Sequence, residues 1–226
     1  WKNSADHSTL EVNGARQVGK TYLINKFADE YFKQKIYINL FELSGKQFLE
    51  CYEQAIAWKP GTKRPEHPLH DAFLLYEPSF QDTEDTVIII DEIQESAEIY
   101  NRIREFTRQF KCRFIVTGSY LGRVYDSEFR FSSGDVTKLT IYTLSYEEFL
   151  RAFDESLYEQ YCELAIGKCE KDIYASLKQI YDVYCQIGGY PKVVETYLKT
   201  KNIQLAQGEL VKIIDTFINE SIRYFT

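Results

Sequence analysis

The sequence predicts an α/β chain in which a five-stranded parallel sheet alternating with helices is followed by an all-helical subdomain. Three observations predict it. Val87 to Ile90 (VIII) is an unbroken run of β-branched residues, as in a parallel strand buried on both faces. A glycine-containing loop, Gly14 to Thr21 (GARQVGKT), stands between a short strand pattern and a helical one. From about residue 145 onward strand patterns stop and apolar residues recur at helical spacing. The expected division is therefore a sheet-containing core over 1–144 and a helical subdomain over 145–226.

Ser8 to Asn13 (STLEVN) supplies the first strand, although Glu11 makes it less apolar than a buried parallel strand usually is. The loop that follows fits G-x-x-x-x-G-K-[ST] at every fixed position, which makes the core a P-loop nucleotide-binding fold. Gly14 and Gly19 let the backbone wrap a polyphosphate, so that successive amides face the anion and no Cβ blocks the approach. Lys20 then reaches the terminal phosphates, and the Thr21 hydroxyl is placed for Mg²⁺. The helix that begins there adds the positive end of its dipole. The candidate nucleotide-binding residues are Gly14, Ala15, Arg16, Gln17, Val18, Gly19, Lys20, Thr21 and Tyr22, with Lys20 also serving the chemistry. Leu23, Phe27 and Tyr31 recur at spacing four, as on a helix that lays one face on a sheet.

Lys35 to Leu40 (KIYINL) reads as the second strand, Ser44 to Trp58 as a helix, proline-rich Lys59 to Pro68 as a solvated loop, and Asp71 to Tyr76 as a short helix. Asp91 and Glu92 end the third strand, at the carboxyl edge where open α/β sheets collect ligands. Asp91 is a candidate Mg²⁺ ligand. Glu92, the next residue on the strand, points elsewhere and is a candidate base that orients and deprotonates the attacking water. The same pair also suits a plain acidic turn that caps the next helix.

Ile99, Ile103, Phe106 and Phe110 predict one helix with an apolar stripe. Arg102, Arg104 and Arg108 on its other faces form either a solvated basic face or a surface for a partner or nucleic acid. Cys112 to Ser119 is the fourth strand and ends in hydroxyls. Thr117 or Ser119 is placed to touch the γ-phosphate or the attacking water, or simply to form a turn. Lys138 to Leu144 (KLTIYTL) predicts the fifth strand.

Ser145-Tyr-Glu-Glu148 is a capping box that opens the helical part. Helices follow with apolar faces Ile173, Leu177, Ile180, Tyr181 and Tyr184, then Val193, Val194, Tyr197 and Leu198, then Leu210, Ile213, Ile214, Phe217 and Ile218. Gly188 and Gly189 end one of them, and Pro191 starts the next. On residue types alone this is a tight helix–helix corner.

At 226 residues, with 44% hydrophobic content, the chain can bury a full core. Its longest continuous apolar run is far short of the roughly 20 residues of a membrane span, and no signal peptide is visible. A net charge of -7 argues against general affinity for nucleic acid, although one basic face could still exist. Five cysteines, an odd number with no C-x-x-C pair, favour a reducing cytoplasm. Cys162 and Cys169 are better read as neighbours on a helix face than as metal ligands. The start at Trp1, the lack of methionine and the end inside a helical pattern suggest a fragment of a longer protein, unless methionines were left out of the sequence.

With GARQVGKT, VIIIDEIQ, FIVTGS, LSYEEFL and GGYPKVVETYL in this order, nearly the whole chain resembles the bacterial and archaeal AAA+ ATP-binding proteins related to signalling NTPases. The resemblance implies that these stretches are the Walker A loop, the Walker B strand, a sensor strand, the entry to a helical lid, and a lid motif. Lys20, Thr21, Asp91, Glu92 and Ser119 match the family's site residues. Gly189 and Pro191 match a motif whose proline presses on the bound nucleotide and so ties lid position to nucleotide state. ATP or ADP as the nucleotide rests on the resemblance alone. An arginine finger is not securely placed; Arg123 and Arg130 are candidates because they follow the sensor strand. Members usually continue into a winged-helix segment and a nuclease-like domain, neither of which lies in this sequence.

The sequence therefore predicts a Mg²⁺-dependent ATPase whose cycle moves or releases a partner, catalytic through Glu92, Lys20 and Ser119. Expected partners are ATP, further copies of the chain, or a DNA-associated partner reached through the domains outside it. Two alternatives stand beside it: an ATP/ADP-dependent switch that hardly turns over, and a P-loop kinase acting on a small molecule.

Overall fold

The computed structural model describes residues 1–4, 6–57, 66–118, 128–129, 134–167 and 172–225. The chain divides into two compact units, Trp1–Gly14 with Lys20–Ile141, and Ala15–Gly19 with Tyr142–Thr226.

The first unit is built on five strands: β1 (Thr9–Asn13), β2 (Gln34–Asn39), β3 (Thr86–Asp91), β4 (Arg113–Thr117) and β5 (Val136–Thr140). They form one sheet in the order β2-β3-β4-β1-β5, with every neighbouring pair parallel. Every residue of β3 and β4 is buried, as the unbroken apolar runs require of strands covered on both faces. The register sets Val12 opposite Thr117, Ile90 opposite Val116 and Asn39 opposite Asp91. The carboxyl ends of β1 to β4 thus share one edge.

Strand β5 runs earlier than KLTIYTL suggests. Among the described residues its one neighbour is β1, and the pairing of Asn13 with Thr140 is the last possible before β1 turns into the glycine loop. Its residues are mostly exposed, which fits an edge position. Buried Glu11 in β1 is accommodated by donors, Asn13 Nδ2 at 3.0 Å and the Tyr100 hydroxyl at 3.4 Å.

On one face of the sheet lies α1 (Lys20–Tyr31), which buries Ile24 and Ala28 against Leu10, Val12, Val87, Ile89 and Ile115. Of the expected stripe, only Phe27 packs against this core; Leu23 and Tyr31 are exposed. The helix is rotated so that small Ala28 faces the strands and the backbones can approach closely. The opposite face carries α2 (Leu43–Ile56), α3 (Pro68–Tyr76), α4 (Ala97–Tyr100) and α5 (Ile103–Gln109). Phe106 stacks on Phe114 of β4 at 4.4 Å, and Phe48 on Phe73 at 4.9 Å. Each such fully buried side chain contributes on the order of 2 kcal/mol.

The stripe Ile99–Phe110 is divided between α4 and α5. The chain turns at Asn101 and Arg102, where Arg102 N donates to Ile99 O at 3.0 Å, and the turn lets both Tyr100 and Ile103 bury. The arginines of this segment have structural partners. Arg104 and Arg108 both donate to the buried Asp135 carboxylate, at 3.3 and 3.1 Å, and Arg102 binds Glu105 and the Tyr52 hydroxyl. This pinning holds the approach to β5.

The second unit contains α6 (Tyr146–Phe153), α7 (Glu155–Ala165), α8 (Asp172–Ile187), α9 (Pro191–Thr200) and α10 (Ile203–Phe225). Its core gathers Phe149, Ile187, Val193, Val194, Tyr197, Ala206 and Ile213. The capping box forms as its residues predict, with Glu148 N donating to Ser145 Oγ at 3.2 Å and Ser145 N to Glu148 Oε2 at 2.7 Å. Among the described residues no helix is long and apolar enough to cross a membrane.

Candidate nucleotide-binding site

Between β1 and α1 the backbone enters the positive-φ region three times, at Gly14 (φ 145°), Gln17 (φ 63°) and Gly19 (φ 91°). Glycine supplies this at little cost at two of the three positions, and such alternation turns successive amides toward one concave side, where an anion is held. Val18 is buried, whereas Ala15 and Gln17 are exposed and Arg16 is half-buried. Lys20 opens α1, and its ammonium donates to Gly14 O at 2.9 Å, back toward the start of the loop. Tyr22 is exposed.

At the second residue of α1, the Thr21 hydroxyl donates to Asp91 Oδ2 at 2.8 Å. Tyr37 of β2 donates to the same oxygen at 2.7 Å, and Glu92 N donates to Oδ1 at 2.9 Å. Asp91 is 4% exposed, so its charge depends on these donors. Burial first, and then the bond to the Asp91 carboxylate, push the Tyr37 phenol well above its ordinary range, which keeps it a donor. Thr21 and Asp91 present adjacent hard oxygens, the donor type Mg²⁺ takes when phosphates and water complete its shell. Among the described residues no cluster of three or more His, Cys, Asp or Glu side chains is placed to hold a metal by protein ligands alone.

Glu92 sits in the left-handed region, φ 52° and ψ 45°, at the start of a 3₁₀ turn over Ile93–Glu95. Its Oε2 accepts from Gln94 Nε2 at 2.5 Å. The Thr117 hydroxyl, at the end of β4, is fully buried and has no hydrogen-bond partner among the described residues. Ser119, Arg123 and Arg130 lie outside the described residues. In the helical unit Gly189 is buried against Leu144: Leu144 N donates to Gly189 O at 2.8 Å, and a Cβ on Gly189 would stand 2.0 Å from Leu144 O. Pro191 begins α9 directly after this corner.

Thr21, Asp91 and Glu92 are thus brought to one place with Tyr37, which lies in none of the motifs, and Gln94, which ends the VIIIDEIQ stretch without a role assigned by it. Tyr37 lies two positions before the residue opposite Asp91, on the same face of β2 as Asn39. Only the register of β2 on β3 reveals that, and the signal for Gln94 is its spacing of two from Glu92.

The model of a family described as AAA domain matches residues 6–150, more than half of the chain. The chain belongs to the AAA domain family. It is a P-loop protein of the AAA+ class, and nucleotide binding is the activity the class has in common. No curated protein matches this AAA domain in sequence. Among solved structures it is similar to Drosophila ORC bound to DNA, with a TM-score of 0.51 and 15% identity over 93% of this chain and 62% of that one. Cdc6p from Pyrobaculum aerophilum matches with a TM-score of 0.40 and 15% identity, over 70% of this chain and 44% of that one. The likeness to the Drosophila structure is one of fold, and the AAA domain chain spans 62% of that chain's length.

Proposed function

We propose that this AAA domain binds Mg²⁺ and ATP through Gly14–Thr21 and hydrolyses the nucleotide, using the cycle to act on a partner. The observation that carries the reading is the 2.8 Å pairing of Thr21 Oγ1 with Asp91 Oδ2, two oxygens joined across 70 residues of sequence. In this reading the loop amides from Gly14 to Gly19, with Arg16 and Tyr22 flanking them, enclose the phosphates, and Lys20 leaves Gly14 O for their terminal oxygens. Thr21 and Asp91 hold Mg²⁺, which when bound neutralises charge on the β- and γ-phosphates. Tyr37 fixes the Asp91 carboxylate through Oδ2. Glu92 takes the proton of the attacking water, and Ser119 contacts the γ-phosphate. Gly189 and Pro191 report nucleotide state to the helical unit, which acts as a lid.

Catalysis by such a site is positioning and charge stabilisation. Further copies of the chain, or a DNA-associated partner reached through domains outside it, are the proposed recipients of the motion, in a reducing cytoplasm. Phosphate release from Mg-ATP with no added acceptor tests the proposal. Sustained turnover supports hydrolysis, a single turnover supports a switch, and release of none supports transfer to a small molecule.

A further inference from the structure

The Gln94 side chain occupies a confined place between two structures of the first unit. Its Nε2 donates to Glu92 Oε2 at 2.5 Å. Because a carboxylate only accepts, the amide nitrogen must face Glu92 and Oε1 must face the other way. There it meets Gly118, directly after β4, where a Cβ would come within 2.1 Å of Gln94 Oε1 and 3.3 Å of its Cδ. The Cβ would also stand 3.0 Å from Ile93 N, so a side chain at position 118 would push the amide end of Gln94 out of this place. The Glu92 backbone, at φ 52°, supplies the tight turn that brings a residue two positions on back over the carboxylate.

We infer that Gln94 is a positioning residue that fixes the Glu92 carboxylate and ties its orientation to the end of β4 through contact with Gly118. The inference rests on the reading of Glu92 as the base. A free glutamate side chain explores several rotamers, and only a fraction of them aims an oxygen at a water in line with the scissile bond. Gln94 occupies Oε2 and leaves Oε1 for that water. Thr117 and Gly118 are consecutive, so a displacement of this strand end moves Gln94, and Glu92 with it.

The test uses the parent, Gln94→Ala, Gln94→Asn, Gly118→Ala, the Gln94→Ala/Gly118→Ala double variant, and Glu92→Gln. Steady-state kcat and KM are measured with Mg-ATP, calorimetric affinity with a non-hydrolysable ATP analogue, and melting temperature as a control on folding. Gln94→Ala is expected to lower kcat about tenfold with affinity and KM within about twofold, because positioning is lost and binding is not. Gln94→Asn, one methylene too short to bridge Gly118 and Glu92, is expected to lose as much.

Gly118→Ala evicts the amide and should match Gln94→Ala. The double variant should be no worse than the poorer single, because the amide it would evict is already gone. Parental kcat in Gln94→Ala and Gln94→Asn, with Glu92→Gln inactive, overturns the inference and leaves the base in place. Multiplied losses in the double variant also overturn it. Glu92→Gln at the parental rate overturns the reading of the base itself, and the inference with it.

Discussion

Thr21 Oγ1 and Asp91 Oδ2 are joined by a 2.8 Å hydrogen bond, although one opens α1 and the other closes β3. The bond exists because the sheet order sends the chain from β1 across to β2 and back through β3, so the ends of all three strands and the start of α1 meet at one edge. Its length sets the two oxygens at a separation that neighbouring oxygen ligands of one octahedral Mg²⁺ would take.

Thr21→Ala is expected to weaken nucleotide affinity about tenfold with Mg²⁺ present, the cost of one ligand. With Mg²⁺ removed by chelator, parent and variant should bind alike. Calorimetry under both conditions checks this; an equal loss without Mg²⁺ would show that the hydroxyl serves the fold instead.

Tyr37→Phe removes a donor from a buried carboxylate and should cost about 1–2 kcal/mol of stability near neutral pH. Its pH dependence has a definite sign. The phenol is raised in the folded state, so its contribution is fully present below the unfolded value of about 10 and is lost as pH rises above it toward the folded value. Melting curves from pH 8 to 11 should therefore fall more steeply above about pH 10 for the parent than for Tyr37→Phe. Parallel slopes would remove the Tyr37–Asp91 bond from the account.

Lys20→Ala should abolish detectable nucleotide binding, because the loop amides then face the terminal phosphates without the Lys20 ammonium. Its melting temperature should change little, since Lys20 is half-buried and water can replace its bond to Gly14 O. Unchanged affinity for ATP by calorimetry would contradict the assignment of the loop.

The corner at Gly189 and Pro191 separates two roles that meet in adjacent residues. Gly189→Ala would press a methyl against Leu144 O and should destabilise the helical unit by about 1–3 kcal/mol, visible as a lower melting temperature. Pro191→Ala should instead leave the empty protein's melting temperature unchanged and weaken ATP binding by roughly 1 kcal/mol, about one packing contact. A drop in stability with unchanged affinity in Pro191→Ala would make the proline part of the corner alone.

The elements legible in the sequence were those whose signal is local. VIII, four β-branched residues in a row, favours a doubly covered strand, and S-Y-E-E closes its own capping box. Periodicity was a weaker guide to rotation: Leu23, Phe27 and Tyr31 share a helical face, but Ile24 and Ala28 lie against the sheet because close approach favours the small side chain. The end of β5 was hidden because it is set by where β1 stops, and the break after Tyr100 because burial of both Tyr100 and Ile103 decides it.

In the candidate site, the motifs point to Thr21, Asp91 and Glu92, which the fold sets close together. Tyr37 depends on strand register, and Gln94, although it ends VIIIDEIQ, on a left-handed backbone at Glu92; a motif records neither register nor backbone. The arginines of α5 show the same limit, since their shared partner Asp135 lies 27 and 31 residues away.

The central claim is hydrolysis with Glu92 as base, and the most direct measurement is steady-state phosphate release by the parent and Glu92→Gln, with ATP affinity determined for both. The amide keeps the size and polarity of the carboxylate and removes its basicity, so affinity should stay within about threefold while turnover falls by about 10²-fold or more. Turnover by Glu92→Gln at the parental rate, with ATP bound equally well, would contradict the account.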